Sequence, residues 1–449
     1  MRVLFVHANF PAQFRHMAEA LGRDPANQVV FATQNERPEW VIPGVRKAVA
    51  VKVPEKTEGH PLALRLEQAF ANGLEFAKLC RSLRQQGFVP DVTVGHSGWG
   101  QTMFLRDVFP EAPFVGYFEW YYDPDGEDAR FDGPLSEDHR AELRVKNMPI
   151  LSDLAACAFG ISPTRWQAAQ FPPSERKKLA VIHEGVDTDY FSPAYGSRLK
   201  LPELDLGEVP ELVTYAARGM EPYRGFPQFI EALPIVLKER PACHAVILGE
   251  DRVCYGRPLP EGQSWKRTMQ DRVALDPARV HFTGPLPYGQ YKQVLQASSV
   301  HVYLTRPFVL SWSFLEALSL GCLVVGSDTA PVREVLRHGE NGLLTDFASP
   351  ERIAASDRGL GAPGGVPAPA RAGPRRRGRA LRLEEAFAAA ARALAPGGPG
   401  QAQGPRRLAA AQGLVSRPEI PLPEGRRPTG RRFGSLATKY GGHISWPRH

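Results

Sequence analysis

Apolar and polar positions along this chain fall into two alternating patterns, short apolar runs and stretches of helical periodicity. RVLFVH, residues 2–7, is an apolar run closed by a histidine and predicts a buried strand. Phe14, Met17, Ala18 and Leu21 follow at i, i+3, i+4 and i+7, with Pro11 where a first-turn proline is tolerated, and predict a helix. QVVFAT (28–33), DVTVGHS (91–97), PFVGYF (113–118) and KLAVIHEG (178–185) repeat the theme of apolar run and polar or glycine break. Helical patterns over 62–86 and 141–159 lie between them. This is the βαβ rhythm of a parallel sheet covered by helices.

The rhythm restarts after a proline-rich joint at about residues 192–210. LVTYAARG (212–219), HAVILGE (244–250), RVHFTG (279–284), VHVYLTR (300–306) and CLVVGSD (322–328) are five further strand candidates. Helical patterns over 227–239, 288–298 and 313–320 separate them, the last stopped by Gly321. The expected fold class is α/β, with domains at 1–195 and 205–358 facing each other across a cleft. Ligands of open α/β sheets bind beyond the carboxyl ends of the strands, so residues just after each strand are the candidates for chemistry.

Residues 359–449 break the pattern and form an irregular, low-complexity basic tail. Alanine, glycine, proline and arginine dominate from Gly361 on, and only 383–394 predicts a helix, with Gly397 as its stop. Two readings stand for this tail. One is a GC-rich gene read in a shifted frame from near residue 355. The other is a genuine basic arm for anionic lipid headgroups or nucleic acid.

Composition changes the picture in one respect. The net charge of +7 would suggest nucleic acid, but residues 361–449 alone carry +12, so the first 360 residues are near −5. The basic character belongs to the tail, and no specific nucleic-acid partner is expected of the folded part. Hydrophobic content of 43% in 449 residues suits a globular protein, and no apolar run reaches the ~18–20 residues of a membrane span. The amino-terminal apolar run is too short for a secretory signal. Five scattered cysteines without a CxxC pair indicate neither disulfides nor zinc, and a cytoplasmic setting is expected.

Glu316 is the most informative single residue. It lies inside RPFVLSWSFLEALSLGCLVVGSDTAPVREVL (306–336), about one turn into a helix whose neighbours Phe314, Leu315, Leu318 and Leu320 leave little polar face. A carboxylate there must find partners, and near a helix start beyond a strand it is placed to accept hydrogen bonds from a vicinal diol such as ribose. FLEALSLGCLVVGSDTAPVREVLRHGENGLLTD resembles the signature of retaining glycosyltransferases of family 4, which have the GT-B fold of two Rossmann-like domains. Glu316 matches the second glutamate of that signature, expected to bind the nucleotide ribose. The first, eight residues earlier, is Phe308 here; in the family that glutamate helps to hold the transferred sugar. The loop of Phe308, Val309, Leu310 and Ser311 would cover the donor. Arg218, Arg224 and Gly225, in AARGMEPYRG, resemble the family's Arg…Lys-Gly element, two cations beside the donor diphosphate. Such cations stabilise the charge gained by the departing nucleoside diphosphate without a metal.

The first half matches the family mainly in its order of elements. Glu119 stands where many relatives have a histidine near the reacting carbon, and His96 follows a strand; these are the catalytic candidates. Asn9, Phe10 and Gln13 replace the family's glycine-rich loop as a rim for acceptor or phosphate. The Asp-X-Asp triplets at 123–125 and 187–189 lie in an acidic loop and a helix-start turn, and neither is expected to hold a metal. The resemblance implies a metal-independent glycosyltransferase without cofactor, moving a sugar from a nucleotide-sugar donor to a glycan or lipid-linked acceptor with retention of configuration. A lipid-linked acceptor would bring peripheral contact with the inner face of the membrane. The alternative is a non-catalytic nucleotide-sugar or glycan binding module on a degenerate GT-B scaffold.

Overall fold

A computed structural model describes residues 1–356, so the tail beyond them, with both readings of it, lies outside the described residues. Seven strands form the first sheet: β1 (Arg2–Val6), β2 (Gln28–Thr33), β3 (Val45–Val49), β4 (Val92–His96), β5 (Phe114–Tyr117), β6 (Phe159–Ser162) and β7 (Leu179–Val181). A short hairpin, β8 (Leu199–Leu201) with β9 (Leu204–Leu206), follows. Six strands form the second sheet: β10 (Glu211–Gly219), β11 (Cys243–Glu250), β12 (Val280–Gly284), β13 (Val300–Tyr303), β14 (Leu323–Ser327) and β15 (Leu343–Thr345).

The first sheet runs β3-β2-β1-β4-β5-β6-β7 and the second β12-β11-β10-β13-β14-β15, and every pairing within them is parallel. The strand order reverses between β1 and β4 in the first sheet and between β10 and β13 in the second. These are the switch points where an open α/β sheet leaves a crevice.

Helices α1 (Arg15–Gly22), α2 (Pro61–Gln85), α3 (Leu105–Val108), α4 (Glu137–Ala156), α5 (Arg165–Ala169) and α6 (Pro173–Arg176) accompany the first sheet. Helices α7 (Phe226–Glu239), α8 (Trp265–Arg272), α9 (Tyr288–Gln296), α10 (Trp312–Ser319), α11 (Ala330–Arg333) and α12 (Pro350–Ser356) accompany the second. Each sheet has apolar layers on both faces. Val3, Phe5 and Val94 pack on Phe14 and Ala18, while Leu4 and Val6 pack with Phe76 and Leu83. Val213, Tyr215 and Ile247 pack on Phe229 and Leu233, and Val324 packs with Phe314 and Ala317. Strands covered on both sides read as continuous apolar runs, which is why they were legible.

Several elements differ from the sequence reading. The helix expected over 141–159 starts earlier, at Glu137, where the Ser136 side chain accepts from the His139 amide, and it ends at Ala156. Phe159 belongs instead to β6, which has no polar break in front of it. β3 escaped notice because RKA interrupts its apolar pattern at the sheet edge, where charge is tolerated. β8 and β9 lie in the segment read as a joint, and β15 follows the Asn-Gly turn.

The two lobes touch at several places. Arg306 Nη1 donates to Asp132 Oδ2 at 2.5 Å, and the Trp312 indole N–H donates to Glu184 Oε1 at 2.7 Å. The Glu334 carboxylate accepts the backbone N–H groups of Arg165 and Trp166, the first two residues of α5. Among the described residues no helix is long and apolar enough to cross a membrane, and all five cysteines are free.

Candidate functional site

The second lobe's candidates converge on one hydrogen-bonded unit. β10 ends at Arg218-Gly219, and the chain turns through Pro222–Arg224 into α7. Gly225 makes that entry with φ 64°, and a Cβ there would stand 2.4 Å from Leu304 Cβ. Only glycine fits so close an approach at that dihedral. The Arg224 side chain thereby turns inward and is 4% exposed. Its Nη1 donates to the Tyr303 hydroxyl at 3.1 Å and to Thr305 Oγ1 at 2.9 Å. Its guanidinium carbon lies 5.0 Å from the Tyr255 ring and 5.4 Å from the Phe308 ring. Among the described residues Arg224 makes no ion pair: its hydrogen-bond and ring partners are neutral. Arg218 is exposed at the carboxyl end of β10.

Tyr303 ties this cation to the next helix. Its hydroxyl also accepts the Ser311 N–H at 2.8 Å, and Ser311 caps α10 by accepting the Ser313 N–H. Leu310 is buried and Val309 half-buried. Phe308, where the family has a glutamate, sits in an aromatic cluster with Tyr223 (5.2 Å), Tyr255 (5.1 Å) and, from the first lobe, Trp120 (4.7 Å).

Glu316 is 5% exposed. Its two carboxylate oxygens accept the hydroxyls of Tyr288 at 2.5 Å and Tyr291 at 2.6 Å, two residues one turn apart on α9. Burial pushes the Glu316 carboxyl above its usual range, opposed by the two phenol hydrogen bonds and by Arg15. Sequence reasoning required partners for this carboxylate but did not identify them.

At the first sheet's switch point His7, at the end of β1, meets His96, at the end of β4, with ring centroids 4.9 Å apart. His96 stacks on Trp99 at 4.9 Å, and its Nε2 is 3.5 Å from Glu119 Oε2. Gln13 donates to Glu119 Oε1 at 2.9 Å, and Gln167 donates to the Glu119 carbonyl at 2.6 Å. Burial raises the Glu119 carboxyl, but His96, Gln13 and, across the cleft, Arg224 outweigh it and hold the group below its usual range. His7 Nδ1 accepts the Asn9 N–H at 2.8 Å, so the ring proton is on Nε2. Burial, then the neighbouring His96, lowers the His7 pKa well below the usual imidazole range. His7 was missed because it was read as the last residue of its strand.

Of the three rim candidates, Gln13 reaches Glu119 as described. Asn9 is exposed and accepts from Asn35 at 2.6 Å. Phe10 points into the core, 4% exposed, with its ring 4.9 Å from Phe31. In the acidic triplets the carboxylates of Asp123, Asp125 and Asp187 are engaged within the chain. Asp125 pairs with Arg130 and Arg140, and Asp187 Oδ1 accepts the Asp189 and Tyr190 amides.

Two family models cover most of the described chain. The model described as glycosyl transferase family 4 group matches residues 25–191, and that of glycosyl transferases group 1 matches residues 201–357. A D-inositol 3-phosphate glycosyltransferase of Streptomyces scabiei is 28% identical over 179 residues, 39% of this chain and 39% of that protein's own length. Among solved structures, Anabaena HepE in complex with UDP and glucose superposes with a TM-score of 0.63 at 16% identity, over 87% of this chain and 98% of that one. Sucrose-phosphate synthase from Thermosynechococcus elongatus gives 0.63 at 17% identity, over 87% and 96%. These likenesses establish the GT-B fold.

Proposed function

The chain belongs to the group 1 glycosyltransferases, and on that premise we propose that it transfers a sugar from a nucleotide-sugar donor to a glycan or lipid-linked acceptor, with retention of anomeric configuration. The observation that carries the donor reading is Arg224, a guanidinium enclosed among Tyr303, Thr305, Tyr255 and Phe308 without a carboxylate partner among the described residues. A buried cation without a counter-ion is costly. A diphosphate entering beside it and beside the start of α10 would supply the missing charge.

In this reading Arg218 and Arg224 oppose the charge that grows on the diphosphate as its bond to the sugar breaks. Tyr288 and Tyr291 hold the Glu316 carboxylate ready for the ribose hydroxyls. Ser311 and the chain from Phe308 to Leu310 cover the donor. The acceptor enters from the first lobe past Asn9 and Gln13, where His96 and Glu119 orient its hydroxyl. The leaving phosphate takes the acceptor's proton on the same face, which gives retention. The nucleotide-sugars bound in related folds, such as UDP-glucose in HepE, agree with this class of donor. A lipid-linked acceptor would suit the exposed Phe70 and Leu74 of α2 and Met148 and Leu151 of the adjoining α4, which could lie at a membrane surface.

Thermal melts with a panel of nucleotide-sugars test the reading, because binding to the native state raises its melting temperature. One donor should stabilise the protein and be hydrolysed slowly without acceptor. Stabilisation by none removes the donor reading. Stabilisation without turnover under any acceptor favours the binding module, for which Phe308 in place of glutamate is the argument.

A further inference from the structure

Glu221 is fully buried, and the reaction above gives it no task. Its carboxylate accepts three consecutive backbone N–H groups: Cys254 at 2.8 Å, Tyr255 at 3.0 and 3.1 Å, and Gly256 at 2.7 Å. Its own carbonyl accepts the N–H groups of Arg224 at 3.2 Å and Phe226 at 3.3 Å. One residue thus grips both the turn that carries Arg224 and the loop that follows β11. The fit is close. A Cβ at Gly219 would stand 2.5 Å from the Arg252 carbonyl oxygen and 2.8 Å from Cys254 Sγ.

What this loop delivers is Tyr255, whose ring lies against both the Arg224 guanidinium and Phe308. Three successive amides make a concave anion site, and here a protein carboxylate fills it. We propose that Glu221 is a positioning residue of the donor-phosphate site: it fixes the loop of Tyr255 and so holds the Arg224 guanidinium in the single orientation that meets the diphosphate. This rests on the donor reading given above.

The test is a double-mutant cycle on the full chain, with Glu221→Ala, Glu221→Gln, Tyr255→Leu and Arg224→Ala, read by turnover, by nucleotide binding and by amide exchange. In Glu221→Ala the amides of residues 254–256 should lose protection. Its kcat should fall by up to ~10²-fold, the scale of a misplaced catalytic group, while nucleoside affinity stays within about threefold. Glu221→Gln, whose amide oxygen still accepts, should recover part of the loss. In an Arg224→Ala background, Glu221→Ala should cost no further activity, because the two act as a unit. Multiplying losses, unchanged exchange, or tighter diphosphate binding in Glu221→Ala would each overturn the proposal. Should Glu221→Ala not fold, Glu221→Gln and Tyr255→Leu carry the same cycle. A wild-type protein that binds no nucleotide-sugar sinks the donor reading and this proposal with it, whereas intact binding with additive losses sinks this proposal alone.

Discussion

The rings of Trp120 and Phe308, one from each lobe, meet 4.7 Å apart across the cleft. Trp120 also contacts Trp166, and Phe308 contacts Tyr223 and Tyr255, so the pair joins aromatic clusters of both lobes. At the position of the signature's first glutamate this chain places an interlobe contact. Trp120→Ala and Phe308→Ala should each lower the melting temperature. Their cycle should give a coupling of about 0.5–1.5 kcal/mol, as for other aromatic pairs. Zero coupling would mean that the contact does not hold the lobes.

Glu316→Ala should weaken nucleotide binding by ~1–3 kcal/mol, since ribose hydroxyls would be left unpaired in a desolvated site. Glu316→Gln should retain part of that affinity. Calorimetric titration checks both, and wild-type affinity in the alanine variant would remove the ribose assignment.

Arg224→Met should separate stability from function. The free protein loses an enclosed cation that makes no ion pair among the described residues, so its stability should hold or rise. The stabilisation by donor should vanish, and turnover should fall more than nucleoside affinity. Arg218→Ala should show the same kinetic pattern in milder form. A drop of more than ~2 kcal/mol in the free Met variant would make Arg224 a structural residue.

Asp153 gives a pH prediction. It is 2% exposed and accepts the hydroxyls of Ser97 at 2.7 Å and Thr102 at 2.6 Å. Burial outweighs these bonds and pushes its pKa from 3.8 up to about 6. A raised carboxyl value contributes stability below the unfolded pKa, and that contribution is lost as pH rises through the folded value. Wild type should therefore lose about 2–3 kcal/mol relative to Asp153→Asn between pH 4 and pH 7. Denaturant melts across that range would show it, and a flat difference would contradict it.

A chelator should leave turnover unchanged, given that Asp125 is already paired with Arg130 and Arg140. Activity lost to chelator and restored by magnesium or manganese would count against the arginine-based account.

Most strands of both sheets were legible because strands buried on two faces write themselves as unbroken apolar runs, and α10 was legible because Gly321 ends it with φ 78°. The burial of Glu316 was also legible, from Phe314 and its neighbours. Its partners were not, since Tyr288 and Tyr291 lie on another helix, and only the packing of α9 on α10 brings them in. His7 carries no spacing signal either, because its meeting with His96 depends on β1 and β4 being neighbours. Glu221 left still less trace. It acts on backbone N–H groups, which every residue but proline possesses, so no side-chain pattern announces it.

The carboxylate of Glu334 has a consequence for how the cleft can be watched. α5 belongs to the first lobe, yet the amides that open it are completed from the second. A helix start leaves its first N–H groups without partners of their own, so α5 is fully capped only while the lobes stand at this distance. Separation would hand the amides of Arg165 and Trp166 back to water and let that turn fray. Exchange at those two positions therefore serves as a ruler for the gap between the sheets, readable without any ligand bound.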